Sequence, residues 1–307
     1  MRIIEDVTKT EVCFPNVVLT VGSFDGIHMG HRYILEDVVR KAKALDGTPA
    51  LLTMKPHPRE YFSPNNAPNL LCDFDKKIEL LGDLGIEVVY VLPFNAATSA
   101  IPAETFVEDL LHNRCHVRSL VVGHDCRFGK GARGTYQLLE SMASDMDFEV
   151  AEIAPITVDS ERVSSTLIRE RILQGDLATV EKLLGRKYSV SGKVESGRGI
   201  GSTIGFPTAN IHPYHTAIPA QGVYIAEAIL EGEAFPAAVN IGIAPTIRNE
   251  DITIEAHLLD FDRDIRDCEI EIVFHGRVRP ERKFPNKEAL IEQIAKDVQT
   301  VRDYFGR

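Results

Sequence analysis

Hydrophobic positions repeat on two different periods along this chain, and the change falls near residue 185. Before it, short, wholly apolar runs alternate with stretches of helical spacing. Residues 17–21 read as a buried strand, and a Gly-rich turn then leads into a predicted helix from about His28 to Leu45. In that helix Ile34, Leu35, Val38, Val39 and Ala42 recur at the spacing of one helical face. Asp46-Gly47 stops it, and residues 49–54 supply another short strand. A helix over 76–84 precedes a strand over 87–92, and a helix over 103–111 precedes a strand over 119–122. The same texture continues through a strand at 148–153, a helix from Ser164 or Ser165, and a helix from Leu177 to Leu184 that ends at Gly185. Strands alternating with helices predict a parallel sheet covered on both faces, with its phosphate-binding loops gathered at one edge.

From Tyr188 the pattern changes to short strands with polar, Gly- and Pro-containing turns. They span 188–194, 222–230, 235–241, 253–258 and 269–274, and predict a compact β-barrel or sandwich. Asn286 to Phe305 closes the chain as an amphipathic helix whose buried stripe is Leu290, Ile291, Ile294, Val298, Val301 and Phe305. Two domains follow, 1–185 and 186–307, with no internal repeat or low-complexity linker between them.

Composition narrows the function. At 307 residues and 34.1 kDa the chain can bury a core in each domain. Its net charge is −11, with 19 basic against 27 acidic residues up to Gly185 and 15 against 18 after it. Neither half has the basic excess that tracks a nucleic-acid backbone, so nucleic acid is not an expected partner. No apolar run reaches the roughly 18 residues of a membrane span, and a signal peptide is not evident. Five scattered cysteines form neither a disulfide framework nor a metal knuckle, so a cytoplasmic location is expected.

Two glycine-punctuated segments carry the chemistry. The first is Gly22-Ser-Phe-Asp-Gly-Ile-His-Met-Gly-His31, between a strand and a helix. Its glycines ease a sharp turn, and the amides of the following helix start can receive phosphate oxygens. His28 and His31, three apart, fall on one side of the first turn and can stabilise charge in a phosphoryl transition state. An HxxH pair without a third ligand is weak evidence for zinc. The second segment is Gly197-Arg-Gly-Ile-Gly-Ser-Thr-Ile-Gly-Phe-Pro-Thr-Ala-Asn210. Thr208 and Asn210 stand two apart, so on extended backbone they face the same way and can share a hard metal ion or phosphate oxygens.

The first segment resembles the HxGH signature of the bacterial bifunctional riboflavin kinase/FAD synthetase family. Further family-like segments are Lys55 to Glu60, Val121 to Gly129 and Val163 to Arg169. The second segment resembles the flavokinase Gly-rich loop and its PTAN motif, and the likeness continues through Gly222-Val-Tyr224, Asn240-Ile-Gly242, Pro245-Thr246, Glu255 to Asp260 and Arg279-Pro280. It covers nearly the whole chain. The resemblance implies an α/β Rossmann-like nucleotidyltransferase domain followed by a β-barrel flavokinase domain with a C-terminal helix. It also implies two ATP- and Mg²⁺-dependent reactions, riboflavin to FMN and FMN to FAD, with nucleotides and flavins as the partners.

Carried over by motif, His28 and His31 act on the ATP phosphates, within a nucleotide site of Gly22, Phe24, Gly30, Asp125, Ser164, Thr166 and Arg169. Phe62 is implied to stack on flavin, with core packing as the competing role, and Asp125 competes as a turn stabiliser. In the second domain Gly199 and Gly205 belong to the nucleotide loop, Thr208 and Asn210 hold the Mg–nucleotide, and Glu255 is the base. Arg279 is implied to contact flavin or phosphate, against a charge pair as the alternative. Three positions depart from the family pattern: Cys126 stands where Phe is frequent, and Leu167 and Ser202 stand where Arg is frequent.

Overall fold

The apolar runs of the N-terminal half assemble into one sheet. The computed structural model describes residues 1–64, 67–197, 200–245 and 250–307, with backbone alone at 200, 202, 244, 245, 250 and 251. Contacts divide it into two units, Met1–Pro68 with Phe74–Ser164, and Asn69–Asp73 with Ser165–Arg307. This contact boundary precedes the change of texture at Gly185, because the helices over 165–184 group with the C-terminal strands.

In the first unit, β1 (Arg2–Ile4), β2 (Val17–Val21), β3 (Pro49–Lys55), β4 (Val88–Pro93), β5 (Val117–Gly123) and β6 (Glu149–Ile153) pair in parallel in the order β1-β4-β3-β2-β5-β6. The helices are α1 (Met29–Ala44), α2 (Pro58–Phe62), α3 (Phe74–Asp83), α4 (Ala103–Thr105) and α5 (Tyr136–Ala143). Successive strand residues fall into different apolar clusters. Val18, Leu51, Val89 and Val121 pack with Leu35, Val38 and Leu81, whereas Leu19, Leu52, Tyr90 and Leu120 pack with Val107 and Leu110. That two-residue period, with both sets buried, is the signature of a sheet covered on two faces. The expected helix over 103–111 begins as α4 but continues as a π-helical Phe106–Arg114, closed by the Cys115 amide on the Leu110 carbonyl at 2.9 Å. The wider winding still buries Phe106, Val107, Leu110 and Leu111. A two-strand ribbon, β7 (Thr157–Val158) and β8 (Glu161–Arg162), completes the unit.

The strand order places the site. From β2 the chain runs outward one way to β3 and β4, and the other way to β5 and β6. The reversal lies between β2 and β5, and a crevice opens there at the carboxyl ends of the strands. The Gly22 loop leaves β2 at that edge, and Gly123-His124-Asp125 leaves β5 there.

In the second unit α6 (Ser165–Gln174) and α7 (Leu177–Leu184) precede β9 (Ser189–Glu195), α8 (Ile200–Thr203), β10 (Ala209–Pro213), β11 (Gly222–Leu230), β12 (Glu233–Pro245), β13 (Glu250–Leu258) and β14 (Glu269–Pro280). These strands close into an antiparallel barrel in the order β10-β13-β12-β11-β14-β9, with β9 pairing back on β10. Closure decides between barrel and sandwich. Tyr224, Ala226, Val239, Ile241, Ile254, Ala256, Ile272 and Phe274 are fully buried, alternating with outward residues. Alanines admit the two large rings, and register shifts between β11 and β14 ease the bend.

The C-terminal helix α9 (Lys287–Phe305) lies on the barrel exterior. Asn286 caps it through the Ala289 amide at 2.9 Å. Val298 and Val301 pack with Leu259, beside Phe206, Ile225, Ala238 and Ile294. Asp297, within this apolar stripe, is also buried, because Arg279 of β14 grips it with Nε at 3.1 and 3.0 Å and Nη2 at 2.7 Å. Among the described residues no helix is long and apolar enough to cross a membrane.

Candidate active sites

At the β2 edge the backbone turns sharply, with Phe24, Gly26 and Ile27 all at positive φ. A Cβ at Gly22 would lie 3.0 Å from the Phe24 ring, and one at Gly30 3.2 Å from the His28 ring. These two glycines are therefore small because buried rings lie against them, Phe24 and His28 being 4% and 6% exposed.

His28 is the N-cap of α1, and its Nδ1 accepts the His31 amide at 3.2 Å. That bond assigns the proton of a neutral His28 to Nε2, leaving a donor on the ring's other edge. The two imidazoles stack, with centroids 3.6 Å apart and planes within 14°, and Phe24 lies 4.7 Å from His31. Desolvation, and after it the positive charges of His28 and Lys77, hold His31 well below its ordinary 6.5. His31 is thus neutral at physiological pH. Its Nδ1 is buried and has no hydrogen-bond partner. An unsatisfied buried imidazole nitrogen beside a helix N-terminus is a place for a ligand.

One residue of this site has no signal in the sequence reading. Lys77, on α3, is buried and donates from Nζ to the Ser23 carbonyl at 2.8 Å, inside the turn. In sequence it is one of a Lys76-Lys77 pair, and only the fold separates the half-buried lysine, which reaches Glu79, from the buried one.

The other expected residues divide. Asp125, at the end of β5, is exposed and pairs with Arg162, and His124 Nδ1 lies 3.8 Å from it. Its carboxylate ties the β5 loop to the β7–β8 ribbon, which favours the turn-stabilising role. Burial pushes the neighbouring Cys126 thiol up to about 11, so it packs as an apolar residue. Phe62 is 66% exposed, in edge-to-face contact with Tyr61 and Phe94. It is not core, and an exposed aromatic cluster after β3 and β4 offers a stacking surface. Ser164 belongs to the first unit, whereas Thr166 and Arg169 lie on α6 in the second, where Arg169 Nε donates to the Asn69 carbonyl at 2.7 Å.

The second constellation lies wholly in the C-terminal unit, on the outer face of the barrel. A cavity of about 670 Å³ is lined by Gly197, Thr208, Asn210, Asn240, Glu255 and Arg279, with the flank of α9 as a further wall. Register explains why they converge. Asn210 pairs with Glu255, Glu255 with Asn240, Asn240 with Val223 and Val223 with Arg279, giving a single row across five strands. Residues level with one another on adjacent strands share a face, so these side chains present together.

The Gly-rich loop folds onto this row. A Cβ at Gly197 would sit 1.9 Å from Asn210 Nδ2, and one at Gly201 2.3 Å from the Phe206 carbonyl and 3.1 Å from Thr208 Oγ1. Gly205 contributes differently, through a φ of +87 in open space. His257 Nδ1 lies 2.8 Å from the Pro207 carbonyl, tying the segment before β10 to β13. Gly199 lies outside the described residues, as do Thr246 and the Ser202 side chain. Arg279 lines the cavity, but two of its nitrogens are held by Asp297, which receives a further 2.7 Å bond from Gln293. A charge pair is therefore what the geometry provides, with Asp297 buried and Arg279 half-buried rather than at the surface.

Thr208 and Asn210 offer neutral oxygens, and among the described residues no cluster of three His, Cys, Asp or Glu side chains could hold a metal alone. Two neutral oxygens beside Glu255 fit a magnesium ion that arrives with phosphate oxygens and water, since Mg²⁺ rarely relies on an all-protein cage.

Comparison with known proteins agrees with both halves. A family model described as FAD synthetase matches residues 11–167, and one described as riboflavin kinase matches 184–305. The chain is 36% identical over 307 residues to the bifunctional riboflavin kinase/FMN adenylyltransferase of Haemophilus influenzae, covering 100% of both chains. It is 34% identical over 290 residues to that of Escherichia coli K12, covering 94% of this chain and 93% of the other. A crystal structure from Streptococcus pneumoniae, described as a macrolide-efflux protein, superposes with a TM-score of 0.87 at 26% identity, over 98% of each chain. On these matches along its entire length, the chain belongs to the bifunctional riboflavin kinase/FMN adenylyltransferase family.

Proposed function

We propose that this protein makes FAD from riboflavin in two ATP-dependent steps, one in each half of the chain. The observation that carries the reading is the match of an FAD synthetase model to the first half and a riboflavin kinase model to the second, each half with its own glycine-punctuated candidate site. We assign adenylyl transfer to residues 1–185 and phosphorylation to residues 186–307.

In the second half, riboflavin lies in the barrel-face cavity with its ribityl 5′-hydroxyl toward Glu255. Glu255 takes the hydroxyl proton as the oxygen attacks the γ-phosphorus of ATP, and ADP leaves. Thr208 and Asn210 would hold a Mg²⁺ ion, which would offset the negative charge that resists attack. The Arg279–Asp297 pair positions the wall formed by α9.

In the first half, a phosphate oxygen of FMN attacks the α-phosphorus of ATP and pyrophosphate leaves. The substrate brings its own nucleophile, so no serine or cysteine is needed. His28 donates from Nε2 to the polyphosphate, neutral His31 stacks beneath it, and the α1 amides add positive potential. Ser164, Thr166 and Arg169 support the departing pyrophosphate, and the exposed Phe62 stacks on the flavin ring.

The deciding experiment supplies riboflavin, ATP and Mg²⁺ to the purified chain and separates the flavins. Both FMN and FAD are expected. FAD from supplied FMN, without riboflavin phosphorylation, would reduce the protein to a single adenylyltransferase whose barrel only binds flavin. A flavin-responsive regulator predicts no turnover of either kind.

A further inference from the structure

Among the described residues, no ion pair reaches the buried ammonium of Lys77. The ammonium carries three donors, and among the described residues its one hydrogen bond goes to the Ser23 carbonyl, with no ion pair formed to it. Its neighbour on α3 behaves differently: Lys76 reaches Glu79 at 2.8 Å. Burying an ammonium without an anion is costly, and a fold keeps one where something else compensates.

The surroundings of Lys77 indicate what compensates. It enters the turn between β2 and α1 and holds the carbonyl of Ser23, where Thr53 Oγ1 also donates at 3.4 Å. The next residue, Phe24, has a φ of +46, and its ring packs against His31. The same turn ends at the N-terminus of α1, whose first amides carry partial positive charge. The titratable groups of the turn are Asp25, His28 and His31. Asp25, the one acidic group of the turn, is buried and has polar contacts of its own. The turn therefore concentrates positive potential from the ammonium and the helix end, next to an imidazole nitrogen with no partner.

We infer that Lys77 is a positioning residue of the adenylyl-transfer site, fixing the Gly22–Ile27 turn through the Ser23 carbonyl and supplying the buried positive charge that a nucleotide polyphosphate neutralises. This rests on the adenylyl-transfer reading of the first half. It adds a residue from α3 to a site otherwise built from the strand ends and the start of α1. The charge of Lys77 also contributes to keeping the His31 ring neutral.

The test compares K77M, K77Q and K77R in the full-length chain. K77M keeps length and apolar bulk but removes the charge, whereas K77R keeps the charge and adds bulk. A packing role ranks K77M above K77R, and a charge role ranks them the other way. For FAD formation from FMN, K77M is expected to lose on the order of 10- to 100-fold in kcat/KM for ATP. K77R should retain most of the activity, and riboflavin phosphorylation by the same molecules should not change. The second readout is the imidazole NMR titration of His31, which should move to higher pH in K77M and stay in place in K77R.

Full FAD-forming activity in K77M, activity in K77R below that of K77M, or an unmoved His31 titration in K77M would each overturn the proposal. Should K77M lose its folded spectrum in the first unit, K77R against K77Q decides the ranking. Wild-type protein that makes no FAD would defeat the adenylyl-transfer reading itself, and the His31 titration separates that failure from failure of the Lys77 role.

Discussion

Substituting Gly197 by alanine should abolish most riboflavin phosphorylation and leave FAD formation from FMN intact. The added Cβ would sit 1.9 Å from Asn210 Nδ2 and 2.6 Å from its Cγ, whereas ordinary contact begins near 3.4 Å, so loop or side chain must yield by about 1.5 Å. Neither can yield cheaply. Asn210 is fixed on β10 between β9 and β13, and the loop is folded tightly on itself by the close approach of Gly201 to the Phe206 carbonyl. Misplacing a substrate-positioning group by about 1 Å costs on the order of 100-fold in rate. A loss in kcat of that size is therefore expected for G197A. The assay separates riboflavin, FMN and FAD after incubation with ATP and Mg²⁺, and repeats the incubation with FMN supplied. G232A is the control, because Gly232 has a positive φ, +83, but no neighbour within 4 Å of an added Cβ. It should cost about 1 kcal/mol of stability through backbone strain alone and leave both reactions unchanged. Phosphorylation by G197A at the wild-type rate would refute the closure of this loop on Asn210.

Further outcomes follow from the same geometry. H28A with H31A should lower FAD formation at least about 100-fold while riboflavin phosphorylation continues, read from the same flavin separation. E255Q should do the reverse, and loss of both reactions in a folded sample would reject the division of labour. D297N should destabilise the protein by about 3–5 kcal/mol in urea unfolding, because it leaves the Arg279 guanidinium buried without its carboxylate. Acid should weaken the first unit below pH 6.5: His31 is neutral in the fold and held well below that value, so the unfolded chain binds a proton that the native chain does not. Stability then falls as pH drops from 6.5 toward the native value, by up to about 1.4 kcal/mol per pH unit, and H31Q should flatten that dependence in pH-stepped unfolding.

The order of elements was legible because both kinds of hydrophobic period are local. The run at 17–21, the face of α1 and the end of α7 at Gly185 stand where the pattern places them. β1 was not legible: it has three residues, two of them exposed, and is a strand only because β4 receives it. β10 was readable only as an extended pair of oxygen-bearing residues, since strand identity comes from its partners β9 and β13. The winding of 106–114 was hidden too, because a π-helix and an α-helix bury nearly the same residues. Among site residues, those on the Gly-rich turns announced themselves. Asn240 did not stand out from its motif until register set it level with Glu255. Asp297 looked like a charge interrupting an apolar stripe, and only Arg279 from a distant strand explains its burial. Phe62 and Arg279 mark the limit of residue type as evidence. The aromatic with two competing roles is exposed, and the arginine expected to reach a ligand is held by a carboxylate.

The two halves meet the same physical problem with different means, and the difference follows from their sheets. A parallel sheet with crossover helices points helix N-termini at one edge, so the first site obtains positive potential from its backbone before any side chain is added. Two stacked imidazoles and one buried lysine join it there, and a neutral His31 fits a place where the helix and Lys77 already carry the charge. An antiparallel barrel has no such resource, because strand dipoles alternate and nearly cancel. On its outer face the row Asn210, Glu255 and Asn240 is neutral or negative, and Arg279 is already paired with Asp297. Besides Arg282, which also lines the cavity, positive charge for a second polyphosphate arrives with the nucleotide, as a metal ion, or comes from amides of a loop that folds down over it. Gly197 and Gly201 allow that close approach, and the two oxygens of Thr208 and Asn210 suit a shared hard cation. The second reaction should therefore depend more steeply on free Mg²⁺ than the first. Measuring both rates on one preparation across a magnesium titration checks this, and equal dependence would mean that the loop amides and Arg282 supply the charge without the metal.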